Sequence, residues 1–122
     1  MRQHARPKRR RIKREVFRAA SIERWKDAQC LRKAERFQGA IYLCGYTLEC
    51  WLKFRVCVAR RRLHMEEDEA KEFAHKLPEL LDASGEREAV LRNRDVLLAF
   101  HRICGTWSTE IRYSGSVRNR TD

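Results

Sequence analysis

Glycine and proline are scarce in this chain, at five and two of 122 residues. Their shortage, beside abundant Ala, Leu, Glu and Arg, excludes turn-rich β architectures and favours helices. No C-x-x-C pair occurs, and the five cysteines (Cys30, Cys44, Cys50, Cys57 and Cys104) are odd in number. Neither a zinc site nor a disulfide framework is therefore expected. Three of the cysteines fall in one apolar helical pattern, where Cys acts as a small hydrophobe. Such usage points to a reducing, cytoplasmic compartment. The chain has no phosphate loop, no Gly-rich dinucleotide fingerprint, no metal-ligand cluster and no Ser/His/Asp order, so no cofactor or metal is implied. The clean apolar stretch, residues 39–48, is ten residues long before Glu49. That is too short to span a bilayer, and no membrane partner is expected.

Positive charge is plentiful, and it is unevenly spread. The formal charge is +11. Residues 1–14 hold eight Lys and Arg and no acid, whereas the other 108 residues carry twenty basic against seventeen acidic side chains. Residues 1–14 therefore read as a basic, flexible arm. Such an arm either grips phosphates by counterion release or remains a solvated leader. No apolar run follows the charges, so it does not read as a secretory signal.

Apolar residues at three- and four-residue steps predict helices in the rest of the chain. Over 15–33 the stripe is Val16, Ala19 or Ala20, Ile22 or Glu23, then Trp25, Ala28 and Leu31. Over 36–59 the chain is apolar nearly all round, the mark of a bundle's buried centre. Basic residues 60–64 suit the end of that helix. An acidic helix is predicted over 66–74. A short one follows with Pro78 in its first turn and a stop at Ala83-Ser84-Gly85. A further helix is predicted over 86–104, ended by Gly105. The fold class is all-α: an up-and-down bundle of four or five helices over 15–113, with a polar tail at 114–122.

Two groups within the central helix bear on chemistry. Glu49 is a carboxylate among apolar residues, with Lys53 four positions on, in the favourable order for an ion pair. It is either a polar site facing a cleft or, the plainer reading, a satisfied structural carboxylate paired with Lys53 or Arg112. Tyr42 and Tyr46, one turn apart, could stack a base, although such pairs are more often core.

The segment Tyr42-Leu43-Cys44-Gly45-Tyr46-Thr47-Leu48-Glu49-Cys50-Trp51-Leu52-Lys53 resembles the central-helix pattern YLxGYxxExxLK of the HEPN family. His75-Lys76-Leu77-Pro78-Glu79-Leu80-Leu81, then Ser84-Gly85, then Trp107-Ser108-Thr109-Glu110-Ile111-Arg112-Tyr113 are similar to further family segments, in the same order. The resemblance implies a HEPN-like bundle, commonly a homodimer, associated with nucleotides or RNA. It also implies a nucleotidyltransferase partner in a toxin–antitoxin or defence pair. Family chains continue past the Arg-Tyr pair with another long helix, whereas nine polar residues follow here. The expectation is a bundle lacking that helix, through truncation or with a partner covering the face.

Ribonucleases of this family carry Arg, four to six residues, then His. Arg94 and His101 fit that spacing and share a helix face. The resemblance then implies metal-independent attack by an RNA 2′-hydroxyl on the adjacent phosphate. His101 would move protons and Arg94 would neutralise charge on the phosphorane. In a chain so rich in arginine, about one such match is expected by chance. Arg112 could bind a phosphate and Tyr113 could stack. Alternatively Trp107 and Tyr113 close the bundle while Arg112 pairs with an acid. His75 could be a ligand or a helix cap, and a lone His is usually structural. Three functions follow: a nucleotide- or RNA-binding module with Glu49, Lys53, Tyr46, Arg112 and Tyr113 as ligand-holding candidates; a toxin-type ribonuclease using Arg94 and His101; or a non-catalytic dimerisation remnant.

Overall fold

In the computed structural model, residues 10–107 are described. They form a short strand β1 (Arg11–Lys13), helix α1 (Arg14–Lys33) and helix α2 (Phe37–Ala59). Strand β2 (His64–Glu66) and helices α3 (Glu67–Glu72), α4 (Leu77–Ser84), α5 (Arg87–Arg92) and α6 (Arg94–Thr106) follow. The class is an all-α helical bundle, with six helices among the described residues. Residues 1–9 of the basic segment lie outside the described residues, as does everything after Trp107.

α1 and α2 make an antiparallel hairpin, and its open end is tied by an element that periodicity did not predict. β1 pairs antiparallel with β2, placing Arg11 opposite Glu66, Ile12 opposite Met65 and Lys13 opposite His64. Backbone bonds from Arg14 N to Leu63 O and from Glu67 N to Arg10 O, both 2.8 Å, extend the tie. Residues 10–14 are thus not part of an arm. Ile12 packs against the core and Met65 is buried within it, so burial of an apolar pair holds the ladder in register.

Other corrections concern helix faces and ends. The buried side of α1 is Phe17, Ser21 and Ala28, while Val16, Ile22 and Trp25 are exposed. Small side chains let α1 lie close on α2. A Cβ at Gly39 would stand 3.1 Å from Leu31 Cδ1, and the Ser21 hydroxyl is satisfied by donating to Arg18 O. α2 is not buried all round either. It buries Ala40, Gly45, Glu49, Cys50, Leu52, Lys53, Val56 and Cys57, and leaves Phe37, Ile41 and Trp51 exposed. α1 ends at Lys33 and α2 at Ala59, and just beyond each end Glu35 and Arg61 enter the left-handed region, at φ 61° and 55°. Neither end carries the glycine that usually marks such a stop.

Pro78 does lie in the first turn of α4, whose C-cap Gly85 has φ 78°. Leu77, Leu80 and Leu81 pack from α4 onto Leu52, Val56 and Met65 to make the core. The helix predicted over 86–104 is two. Asn93 adopts extended backbone at φ −112°, ψ 105°, and its side chain accepts from Val96 N. This cap starts α6 afresh. α5 buries nothing, and α6 contributes Phe100, with Trp107 at its C-cap, to the core. Among the described residues no helix is long and apolar enough to cross a membrane.

Candidate functional site

The carboxylate of Glu49 is at the centre of a closed polar cluster. Glu49 is 3% exposed and Lys53 7%. Being four apart on α2, they meet directly: Lys53 Nζ donates to Glu49 Oε2 at 2.7 Å. The second oxygen, Oε1, accepts from the backbone N of His75 at 2.9 Å, and His75 Nδ1 lies 3.4 Å from it. The Lys53 ammonium also stands 5.9 Å from the centroid of the Phe17 ring, where a cation is attracted to the ring face. Glu49 thus has the pairing with Lys53 that the plainer reading expects. A buried charge needs a partner and hydrogen bonds, and this one has a cation and a donor on each oxygen.

His75 is the member of the cluster to which spacing gave no role. It is not the cap of α4, because the N-cap is Lys76 and no side chain caps that helix. It stands instead in the left-handed region at φ 64°, which turns its N–H toward Glu49. Its ring meets Trp107 edge-on, with centroids 4.9 Å apart. No local signal could have found this contact, because 26 residues separate His75 from Glu49.

Trp107 closes the other side. Its Nε1 donates to Tyr42 O at 2.9 Å, across 65 residues. The indole lies directly on Gly45, where an added Cβ would come 2.4 Å from three of its ring carbons. Tyr42 and Tyr46 meet edge-on at 5.6 Å and both ring Trp107, at 6.4 and 6.1 Å. The tyrosines are therefore half-buried and packed around an indole. Arg112 and Tyr113 lie outside the described residues.

Arg94 and His101 are placed elsewhere, both on α6 and both exposed. Arg94 is the first residue of that helix. Neither side chain makes a hydrogen bond or ion pair among the described residues. Beside α6 an apolar groove of about 260 Å³ opens between Leu48, Trp51, Leu81, Val90, Val96 and Phe100. Glu86 at its edge accepts from Arg55 Nε at 2.7 Å.

Four of the five free thiols are sheltered from nucleophilic work. Burial pushes the Cys44, Cys50, Cys57 and Cys104 thiols up, and only Cys30 is exposed. At neutral pH iodoacetamide is expected to alkylate Cys30 first, with the other four lagging until the chain unfolds. Five equal rates in a timed mass-spectrometric assay would contradict this burial. In the unfolded chain these four protons leave at lower pH. Their contribution to stability is therefore complete below the ordinary thiol range and is lost as pH rises through the raised values.

Comparison of the chain with protein-family models, curated proteins and solved structures gives no match. The bundle and the closed Glu49 cluster therefore define the class to which the chain is assigned: an all-α helical domain.

Proposed function

We propose that this chain is a nucleotide- or RNA-associated binding module of the HEPN type that does not itself cleave RNA. In this reading it is a homodimer that works with a nucleotidyltransferase in a toxin–antitoxin or defence pair. The observation that carries the non-catalytic part is the state of Glu49. Its two oxygens accept from Lys53 Nζ and from the His75 backbone N–H, which fits a carboxylate that holds the fold rather than one at a reacting group. Arg94 and His101 fit the same view, since a general base works when a neighbour orients it, and among the described residues no hydrogen bond or ion pair joins either side chain to a neighbour. The association with RNA draws support from the charge of +11, most of it in residues 1–14.

A metal-independent ribonuclease is the second reading. It draws support from Arg94 and His101 lying exposed on one helix, open to a large substrate. The test is incubation of purified protein with RNA in excess chelator. Intact RNA with measurable binding is the expected result. Cleavage that disappears in His101→Ala, with the helical spectrum unchanged, would replace the first reading by the second.

A further inference from the structure

The fold brings together two basic segments that lie some fifty positions apart in sequence. Arg10, Arg11, Lys13 and Arg14 run along β1 into α1. Arg60, Arg61 and Arg62 end α2, and the β1–β2 ladder fixes the two groups at the same end of the α1–α2 hairpin. Arg11 and Lys13 are both exposed while Ile12 between them turns inward, so the two cations share one face of the strand. The positive fields of Arg14, Arg60 and Arg62 all reach the Cys57 thiol, a second sign that the groups converge.

Part of this charge has a structural explanation. Cations are favoured at the C-terminus of α2 by its carbonyls. Arg60 and Arg62 are held by Glu69, and Arg11 by Glu66. Arg10, Lys13, Arg14 and Arg61 remain. Among the described residues none of these four has an acidic partner, and all but the half-buried Arg14 are exposed. Arg2, Arg6, Lys8 and Arg9 precede them in the sequence with no intervening acid.

We infer that this end of the hairpin, centred on Arg10, Lys13 and Arg61, is a docking surface for the phosphate backbone of RNA. The inference rests on the RNA-associated reading and names where the RNA sits, away from the Glu49 cluster. Charge complementarity carries it. Three of the four unpartnered cations are arginine, whose planar fork pairs with a phosphate through two hydrogen bonds. A membrane surface is disfavoured, because interfacial binding needs a broad apolar face between the cations. At this end the exposed large apolar side chains are Val16 and Leu63.

The test uses the full chain and a single-stranded RNA oligonucleotide across a salt series. Arg10→Glu/Lys13→Glu/Arg61→Glu is compared with Arg32→Glu/Lys33→Glu/Arg36→Glu. The second set makes the same charge change at the other end of the hairpin, also on exposed residues. The first triple variant is expected to bind more than about tenfold more weakly at moderate salt, with its log–log salt slope shallower by roughly 2. The second triple is expected to keep the wild-type slope. Equal losses in both would show a net-charge effect and overturn the surface, leaving the RNA reading intact. Wild-type binding that survives the first triple with an unchanged slope would do the same. Absence of RNA binding by the wild type would overturn both. Binding to phosphatidylserine vesicles in its place would assign the surface to membranes.

Discussion

Glu49→Ala is expected to lower the unfolding free energy by about 3–5 kcal/mol, the cost of leaving a buried charge without its partner. The loss has two parts. Lys53 would stay buried with its ammonium near the Phe17 ring but without its anion, and the His75 N–H would lose its acceptor. Against a total stability of about 5–15 kcal/mol, this is a large fraction of the whole. Lys53→Ala is expected to cost less, because Glu49 keeps the His75 N–H as a donor. Glu49→Leu/Lys53→Met should recover most of the loss, since a packed apolar pair replaces a buried ion pair at little cost. Urea titration followed by circular dichroism measures all of these. Single variants within about 1 kcal/mol of wild type would mean the pair is solvated as surface pairs are, and the closed-cluster description would fail.

Gly45→Ala is expected to destabilise the chain by about 1–3 kcal/mol, although alanine is the better helix former. Propensity alone would give a gain of about 1 kcal/mol at a mid-helix glycine. Here the new methyl would stand 2.4 Å from the Trp107 ring, well inside ordinary carbon contact of about 3.5–4.0 Å. The indole cannot retreat without breaking its bond to Tyr42 O and its contacts with His75 and Tyr46. Fluorescence gives a direct reading. Trp25 and Trp51 are 50% and 41% exposed, whereas Trp107 is 6% exposed, so loss of its packing is expected to shift emission to the red. A variant at least as stable as wild type, with unshifted emission, would place Trp107 away from Gly45.

These two variants show unequally legible halves of one cluster. Glu49 and Lys53 were readable because both lie on α2 at a spacing that a helix converts into contact. Trp107 on Gly45 was not, because a glycine in a helix shows no partner until a distant segment folds onto it. Arg94 and His101 show the opposite case. Their spacing is correct for a shared face, but spacing does not supply the neighbour that would orient an imidazole.

The sequence by itself determined the helical class, the extent of α1 and α2, and the limits of α4 between Pro78 and Gly85. Apolar periodicity and helix-end chemistry act over a few residues, so a local pattern is enough to specify them. Only the tertiary structure decided that α1 turns Phe17 and Ser21 inward, that residues 11–13 pair with 64–66, and that His75 and Trp107 close over Glu49. Each of those outcomes depends on which distant surfaces compete for burial, and that competition is resolved when the helices pack.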